Sequence, residues 1–543
     1  MSIAQNPRTL LQGPLQGQVA AVLERFLERS GASQGDFGKV EEAGHAAILA
    51  LRGLLMSAGL QASLASAPQA YACPACGSKL SAYGSRQRHV VTAQGEARVR
   101  CVRYRCLACE QDHYPQEAAN GLSDGHYTTG AKGVIAATAS RMPYESAARS
   151  LAQQGLSVSA KEVDRKVAQV SAWREAEERA AVGQLGAKAR AGRTRRPRRS
   201  RQGPIQAQGP APAPRSAIQS ESPPLHSWRG WQESMAAVVS VDGGKVRSPD
   251  ADPHAQGLQW FDARMGVISA VVPQPAPSAA ALAAVDASGA WPPCQGQPAQ
   301  AAEPGQPCVM AKKLRDKAEK LRDKASTLYV AGPTHVAGPE EIDALFRLLL
   351  AARQSDPHPR RRLLFIADGA DWIWWRVGLF FPTAVQVLDI YHAAQHVASA
   401  AVACWGEDSP KARYWSERAR TMLLAKGGPQ RVRQALRHEL DNGQPVNAEE
   451  LRKNLAYLHE HQERMPYAQL HAQGLPVGSG VMESAVKQIS TQRLRQPGMM
   501  WTRHGAERML RLRAAYLSGN LQHTIQRQHV RLQHTTADYA LKA

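Results

Sequence analysis

Three short apolar runs in this chain each close on an aspartate: AAVVSVD ends at Asp242, LLFIAD at Asp368 and AVQVLD at Asp389. They are rich in β-branched residues and do not alternate, which fits strands covered on both faces better than the longer 3.6-residue period of a helix. A fourth run, MGVISAVV, begins at Met265. Helical spacing over about 393–465, 481–495 and 502–517 predicts a mixed sheet flanked by helices, the α/β class. A carboxylate directly after a buried strand and before glycine, as in VDGGK and ADGADW, projects from the sheet edge, where it can hold a divalent cation. A lone aspartate there more often shapes a turn, so the pattern gains weight from a third carboxylate. Glu483, in LPVGSGVMESAVKQ, follows a Gly-Ser-Gly turn and opens a helix that carries Lys487 one turn further on. Carboxylates from two strands and a helix can bind two Mg²⁺ (or Mn²⁺) about 4 Å apart, the arrangement of phosphoryl-transfer chemistry. Asp262 and Asp371 are rival carboxylates, although Asp371 points elsewhere if DGADW begins a helix.

Cys73-x-x-Cys76 and Cys106-x-x-Cys109 supply four of the eight cysteines, with 29 residues between the pairs. Each pair offers two thiolates from one tight turn, and two pairs complete the tetrahedral shell that Zn²⁺ prefers. So few cysteines build no disulfide scaffold; they suit one structural Zn²⁺ in a reducing cytoplasm. Redox-active or incidental cysteines are the alternative, weakened by the basic residues Arg98, Arg100, Arg103 and Arg105 that the pairs enclose. Cys101 is left as a spare.

Downstream, PYESAARSLAQQGLSVSAKEVDRKVAQV holds two helical runs joined near Gly155, the second opening with the capping box Ser159-x-x-Glu162. Val163, Val167 and Val170 give that helix one buried face. Helix, glycine turn, helix is the helix-turn-helix pattern, with Lys161, Arg165 and Lys166 available to DNA. Such hairpins also occur in proteins that bind nothing, but charge favours the DNA reading. The chain has 67 basic and 46 acidic residues, a formal charge of +21, and so calls for a polyanionic partner. The run RTRRPRRSR, with Arg195, Arg196, Arg198 and Arg199, reads as a solvated linker that adds phosphate contacts.

At about 150 residues per domain, 543 residues predict three or four domains. The boundaries read as a helical N-terminal unit over 1–65, the cysteine module over 66–120, the helix-turn-helix segment over 121–186 and a basic linker over 187–230. The α/β core follows over 231–400 with a low-complexity insert at about 273–325, then a helical stretch over 401–475, a core helix with the third carboxylate over 476–520 and a tail over 521–543. Within the insert KLRDKA at Lys313 recurs at Lys320, a solvated charged helix without chemistry. No uninterrupted apolar run reaches eighteen residues and the N-terminus lacks a basic-then-apolar signal, so neither secretion nor a membrane is expected. Trp372, Trp374 and Trp375 read as core side chains more than base-stacking ones.

The segments VDGGKVRS, FIADGADWIWWRVGLFFPTAVQVLDIYHAAQHV and GLPVGSGVMESAVKQISTQRLRQPGMMWTRHGAERMLRLRAAYLSG resemble the DDE transposases of the Kra-type bacterial insertion sequences, relatives of the Mutator-like group. The resemblance runs from about Cys73 to Asn520. It implies an RNase H-like core with a large helical insertion, preceded by a zinc-ribbon-like module and the helix-turn-helix segment. Asp242, Asp368 and Glu483 would be the catalytic triad, and Asp389-x-x-His392 a supporting D-x-x-H signature, with a buried structural hydrogen-bonded pair as the alternative for Asp389 and His392. Lys487, Arg493 and Arg495 would then be available to DNA, with solvated helix surface as the alternative for the two arginines. The partners implied are double-stranded DNA, both terminal inverted repeats and target, and further copies of the chain. The low-complexity insert between the first two aspartates departs from the pattern. A nuclease of the same fold without strand transfer, or an inactive DNA-binding derivative, are the alternatives.

Overall fold

The computed structural model describes residues 14–66, 70–123, 125–193, 228, 230–249, 259–273, 327–332, 339–535 and 539. The arginine run from Arg195 to Arg199, most of the low-complexity insert and the KLRDKA repeat lie outside the described residues. The chain forms two compact units, Met1–Ala176 with Gly519–Ala543, and Glu177–Ser518.

In the first unit, helices α1 (Pro14–Gly31) and α2 (Phe37–Ser66) pack together, and α2 lies along the hairpin of β1 (Leu80–Thr92) and β2 (Gly95–Cys106). A short β3 (Asp112–His113) pairs with the end of β2 only, through Tyr104 and Arg105. The remaining edge of β2 would leave every second N–H unpaired, and side chains take them. Arg98 N–H donates to Ser57 Oγ at 2.9 Å, Arg100 N–H to Gln61 Oε1 at 2.8 Å and Val102 N–H to Gln116 Oε1 at 3.2 Å. Four helix residues rise about 6 Å, close to the two-residue repeat of a strand, so Ser57 and Gln61 can serve successive edge donors. By length and composition α2 is apolar enough over Phe37–Ala65 to cross a membrane, and these polar contacts show what its side chains do in this fold.

The rest of the unit is helical: α3 (Pro115–Ala119), α4 (Thr129–Ala139), α5 (Tyr144–Gln153) and the long α6 (Ala160–Arg193) as far as Ala176, with α17 (Leu521–Thr535) returning to pack on α3 and α4. The hairpin α5–α6 turns at Gly155, whose φ of 81° favours glycine. Ser159 Oγ accepts from Glu162 N–H at 3.2 Å, and Val163, Val167 and Val170 are fully buried, as the apolar spacing predicts. The N-terminal helices, the cysteine module and the α5–α6 hairpin as far as Ala176 thus share one unit, and the expected tail supplies a helix to it.

The second unit is a mixed α/β layer. Its sheet has strands β4 (Ala236–Ser248), β5 (Gln259–Val271), β6 (Leu328–Ala331), β7 (Leu363–Ala367) and β8 (Val385–Leu388) in the order β6-β5-β4-β7-β8. β6, β5 and β4 run antiparallel; β4, β7 and β8 run parallel. All four apolar runs read from the sequence form strands; LYVA of β6 is a fifth. Helix α7 (Pro339–Gln354) packs on β5, and α8 (Asp371–Phe380) follows β7. A stretch of helices, α9 (Ile390–Trp405), α10 (Pro410–Leu423), α11 (Gly428–Asn442), α12 (Ala448–Glu460) and α13 (Tyr467–Ala472), intervenes before α14 (Gly480–Val486). Then come a π segment (Lys487–Thr491), α15 (Gln492–Leu494) and α16 (Arg503–Leu517).

Glu341 in the first turn of α7 is buried, and its Oε1 has no hydrogen-bond partner among the described residues. Burial lifts its carboxyl to about 7, against the pull of Arg264 and Arg503 and with the push of Asp262 and Glu507. A raised carboxyl pKa means that the folded state holds the proton, so its stability falls as pH rises through the folded value. Glu341→Gln is expected to match wild type in unfolding free energy near pH 5 and to exceed it by about 1–3 kcal/mol near pH 8.5. Denaturant titrations at the two pH values check this; equal differences at both would refute it.

Candidate functional site

Parallel pairing sets Ala237, Val238 and Val239 of β4 opposite Leu363, Leu364 and Phe365 of β7, and Ala367 of β7 opposite Leu388 of β8. The same registers, continued, put Asp242, Asp368 and Asp389 level on three neighbouring strands. The last recorded pairs are Val239 with Phe365 and Ala367 with Leu388, so the three aspartates lie just beyond the parallel-paired segments of three strands spaced about 4.8 Å apart. Asp242 is not at a strand end as expected: β4 runs on through Gly243 and Gly244 to Ser248. The parallel pairing with β7 ends earlier, at Val239. Burial holds the Asp242 carboxyl above its ordinary range; the Gly243 N–H at 2.6 Å and His392 oppose this, and the charges of Asp368 and Asp389 add to it. His392 therefore shares the aspartates' electrostatics from the first turn of α9.

Asp368 accepts from Ala370 N–H at 3.1 Å. Asp371 opens α8 and is exposed; Asp262 is also exposed, opposite Lys245. Asp389 is 3% exposed and does two jobs. Its Oδ1 caps α9 by accepting from Tyr391 N–H at 2.8 Å, and its Oδ2 accepts from Ser479 N–H at 3.2 Å and from the Ser479 hydroxyl. Burial raises its pKa; these hydrogen bonds and His392 resist. The Asp389 carboxylate thereby ties a strand end to the Gly-Ser-Gly turn that leads into α14. At Gly478 a Cβ would come within 2.8 Å of the Tyr391 ring, so that turn needs glycine.

Glu483 rides on α14, which packs against β4. Gly244 makes that close approach possible, since a Cβ there would lie 3.1 Å from Met265 Cε and 3.4 Å from Val486 Cγ1 and Ser490 Oγ. The Glu483 side chain is 66% exposed and pairs with Lys487 at 2.8 Å. Among the described residues, the group of three or more His, Cys, Asp or Glu donors found within 4.8 Å of one another is the cysteine set alone. Asp368, Asp389 and His392 are thus near enough to Asp242 for their charges to act on it, but neither they nor Glu483 form a set of donors at ligand spacing.

Cys73, Cys76, Cys106 and Cys109 do converge. Register places Leu80 opposite Cys106, so both C-x-x-C turns sit at the same end of the β1–β2 hairpin. Gly77, at φ 74°, and Glu110, at φ 57°, let the chain curl back after each pair. Cys76 Sγ lies 3.4 Å from Cys106 Sγ and Cys73 Sγ 3.6 Å from Cys109 Sγ. A tetrahedron with Zn–S bonds of about 2.3 Å has S···S edges of about 3.8 Å, so these four sulfurs could bind a metal ion. His113 Nε2 is 3.4 Å from Cys73 Sγ. The Cys76 thiol is lowered to about 6 by the Ser78 hydroxyl and backbone and by Cys106. Cys101 is apart from this set, buried beside Val90, Val99 and Leu122, as a spare cysteine would be.

The model of an uncharacterised protein family (UPF0236) matches residues 351–531. No curated protein matches the chain. The matched stretch contains Asp368, Asp389, His392, Ser479 and Glu483; Asp242 and the four cysteines lie before it.

The helical stretch contributes a contact with no sequence signal. His396 of α9 stacks on Tyr457 of α12 with ring centroids 3.5 Å apart, and Tyr457 meets His461 edge-on at 4.6 Å. A Cβ added to Gly369, next to Asp368, would collide with the Tyr457 hydroxyl. Burial and the Asp368 charge push the Tyr457 pKa up, keeping that hydroxyl protonated. Gly369→Ala is expected to cost about 1–3 kcal/mol, and Gly369→Ala combined with Tyr457→Phe to recover part of it. Thermal unfolding of the two singles and the double measures the coupling; strictly additive changes would remove the contact.

Among the basic residues, Lys161 and Arg165 are exposed, Arg165 pairing with Glu162 at 3.1 Å. Lys166 is corrected: its side chain is 5% exposed, bound to Glu162 at 2.7 Å and set over the Tyr127 ring. Arg493 is corrected too, 1% exposed with its guanidinium over Trp501 at 5.0 Å. Neither is at the surface where a phosphate could reach it. Arg495 is exposed. In the π segment, Gln488 C=O accepts from Arg513 Nε at 2.8 Å, and burial with the neighbouring Arg493 brings Arg513 down to about 10. Of the tryptophans, Trp374 is core, Trp372 half-buried and Trp375 exposed.

Proposed function

We propose that this protein is a DDE transposase of an insertion sequence, cutting DNA at the element's ends and joining the freed 3′-hydroxyls to target DNA. The observation that supports the reading is that the registers of β4, β7 and β8, continued past their last pairs, bring Asp242, Asp368 and Asp389 to one end of the parallel pairing, with Asp389 gripping the turn that launches Glu483. Asp242 and Asp368 would hold Mg²⁺, which supplies Lewis-acid stabilisation of the attacking and leaving oxygens of a phosphodiester. Burial makes the charge on Asp242 costly by itself, a property expected of a carboxylate designed to meet a cation. Asp389 acts as a positioning residue, fixing the Ser479 turn and hence the start of α14. Glu483 joins the aspartates by leaving Lys487, one turn along the same face, and frees that ammonium for phosphate.

On this reading the mixed sheet is an RNase H-like core and α9 to α13 the helical insertion. The four-cysteine module is a zinc ribbon with one structural Zn²⁺, and α5–α6 a helix-turn-helix that offers Lys161 and Arg165 to the inverted repeats. The enzyme would act in the bacterial cytoplasm on double-stranded DNA as a homo-oligomer that pairs two ends. The test uses DNA flanking the protein's own gene together with a supercoiled plasmid. Joined 3′ ends are the expected product; cutting without joining would make the protein a nuclease.

A further inference from the structure

The outer half of the β4–β5 hairpin carries a surface that the carboxylate chemistry does not use. Directly opposed residues of an antiparallel pair share a face, so Lys245 lies with Asp262, and Arg247 with Trp260, on one side of the hairpin. Trp260 is 48% exposed, an unusual place for a large indole in so basic a chain. The Arg495 guanidinium lies 5.8 Å from its ring. Met500, also exposed, belongs to a segment held to β4 of the same hairpin by Trp501 N–H donating to Arg247 C=O at 2.9 Å. Further along this face of β5, Arg264 sits 4.7 Å over Trp372 of α8, the helix that starts just past Asp368.

Indole faces alternating with guanidinium groups match the chemistry of unpaired nucleic acid, whose bases stack on aromatic rings while arginine meets the phosphates and stacks as well. A duplex, with its bases already stacked, offers no face to an indole. Along β4, Arg247 is five residues from Asp242, about 17 Å or the axial length of about five base pairs. The odd spacing turns its side chain to the opposite face of the strand, so a DNA strand reaches it from the cut by passing over the outer end of the hairpin. We infer that this face binds unpaired nucleobases of DNA close to the cut, with Trp260 as the stacking platform and Arg247 and Arg495 on the flanking phosphates. The inference rests on the DNA-processing reading above and adds to it the state of the DNA: a strand opened or displaced beside the active site.

The test measures binding of the full-length protein to a blunt duplex and to the same duplex with a five-nucleotide single-stranded tail, by anisotropy without divalent cation so that no cutting intervenes. Wild type should prefer the tailed DNA about tenfold, a typical stacking gain, and quench 2-aminopurine placed in the tail. Trp260→Ala should lose that preference and the quenching while its affinity for blunt duplex stays within about twofold; Trp260→Phe should keep most of both. Trp260→Ala that binds tailed DNA as wild type does would overturn the inference and leave the transposase reading standing. Equal weakening on both DNAs would make the face a general duplex contact and also overturn it. Wild type that binds neither DNA would overturn the inference together with the reading beneath it.

Discussion

Replacing Asp242 by asparagine is expected to reduce metal-dependent DNA cleavage by about a thousandfold or more, about 4 kcal/mol of transition-state stabilisation, without destabilising the fold. Asparagine keeps the shape and the oxygen that accepts from Gly243 N–H at 2.6 Å, but it cannot present the anionic oxygen a hard cation needs. The fold gains from the change. Asp242 is held above its ordinary pKa by burial and by Asp368 and Asp389, so removing its charge relieves repulsion, and the thermal midpoint should hold or rise by a few degrees. Nicking of labelled DNA in Mg²⁺ and thermal melting of the same samples give both numbers. Cleavage at the wild-type rate would take Asp242 out of the reaction, and a large drop in melting temperature would make it structural.

Loss of the zinc expected at the four cysteines should be the largest stability effect in the first unit. Structural zinc sites contribute on the order of 10 kcal/mol of apparent binding energy to the folds they close, and the apolar cluster around Cys73 and Cys106 is small, with Tyr71, Leu80 and Tyr104 as its other buried members. Cys106→Ser should leave less than one zinc per chain where wild type holds one, and should lose the first unit's cooperative unfolding transition. Cys101→Ser, in the apolar cluster with Val90 and Leu122, should keep its zinc. Metal analysis with differential scanning calorimetry separates the two variants; a metal-free wild type that melts as the loaded protein does would end the zinc assignment.

The parts of this fold that announce themselves in sequence are the local ones. Apolar runs without alternation gave β4, β7 and β8, and two C-x-x-C turns met because a hairpin of matched length returns one to the other. The extension of β4 past Asp242 was hidden because Gly243 and Gly244 look like a turn; Gly244 is there instead to admit Met265 and Val486. β6 is four residues long and takes its strand identity from β5, beyond any window in its own sequence. The hydrogen bonds between Asp389 and Ser479 join residues ninety positions apart, and the stack of His396 on Tyr457 likewise depends on two helices meeting. Charge was the least reliable guide: Lys166 and Arg493 count as surface cations until Glu162 and the Trp501 ring are seen to take them.

Glu483 is the residue on which the reading turns, because its carboxylate pairs with Lys487 and does not join the aspartates. The most direct measurement incubates wild type and Glu483→Gln with end-labelled DNA from the flanks of the gene, Mg²⁺ or Mn²⁺ and a supercoiled target plasmid. The account predicts that both proteins bind the flanks in gel shifts and that wild type alone cuts them and joins the 3′ ends to the plasmid. Cutting and joining by both would show that Glu483 is not the third carboxylate, and binding without cutting by either would leave a DNA-binding protein in place of a transposase.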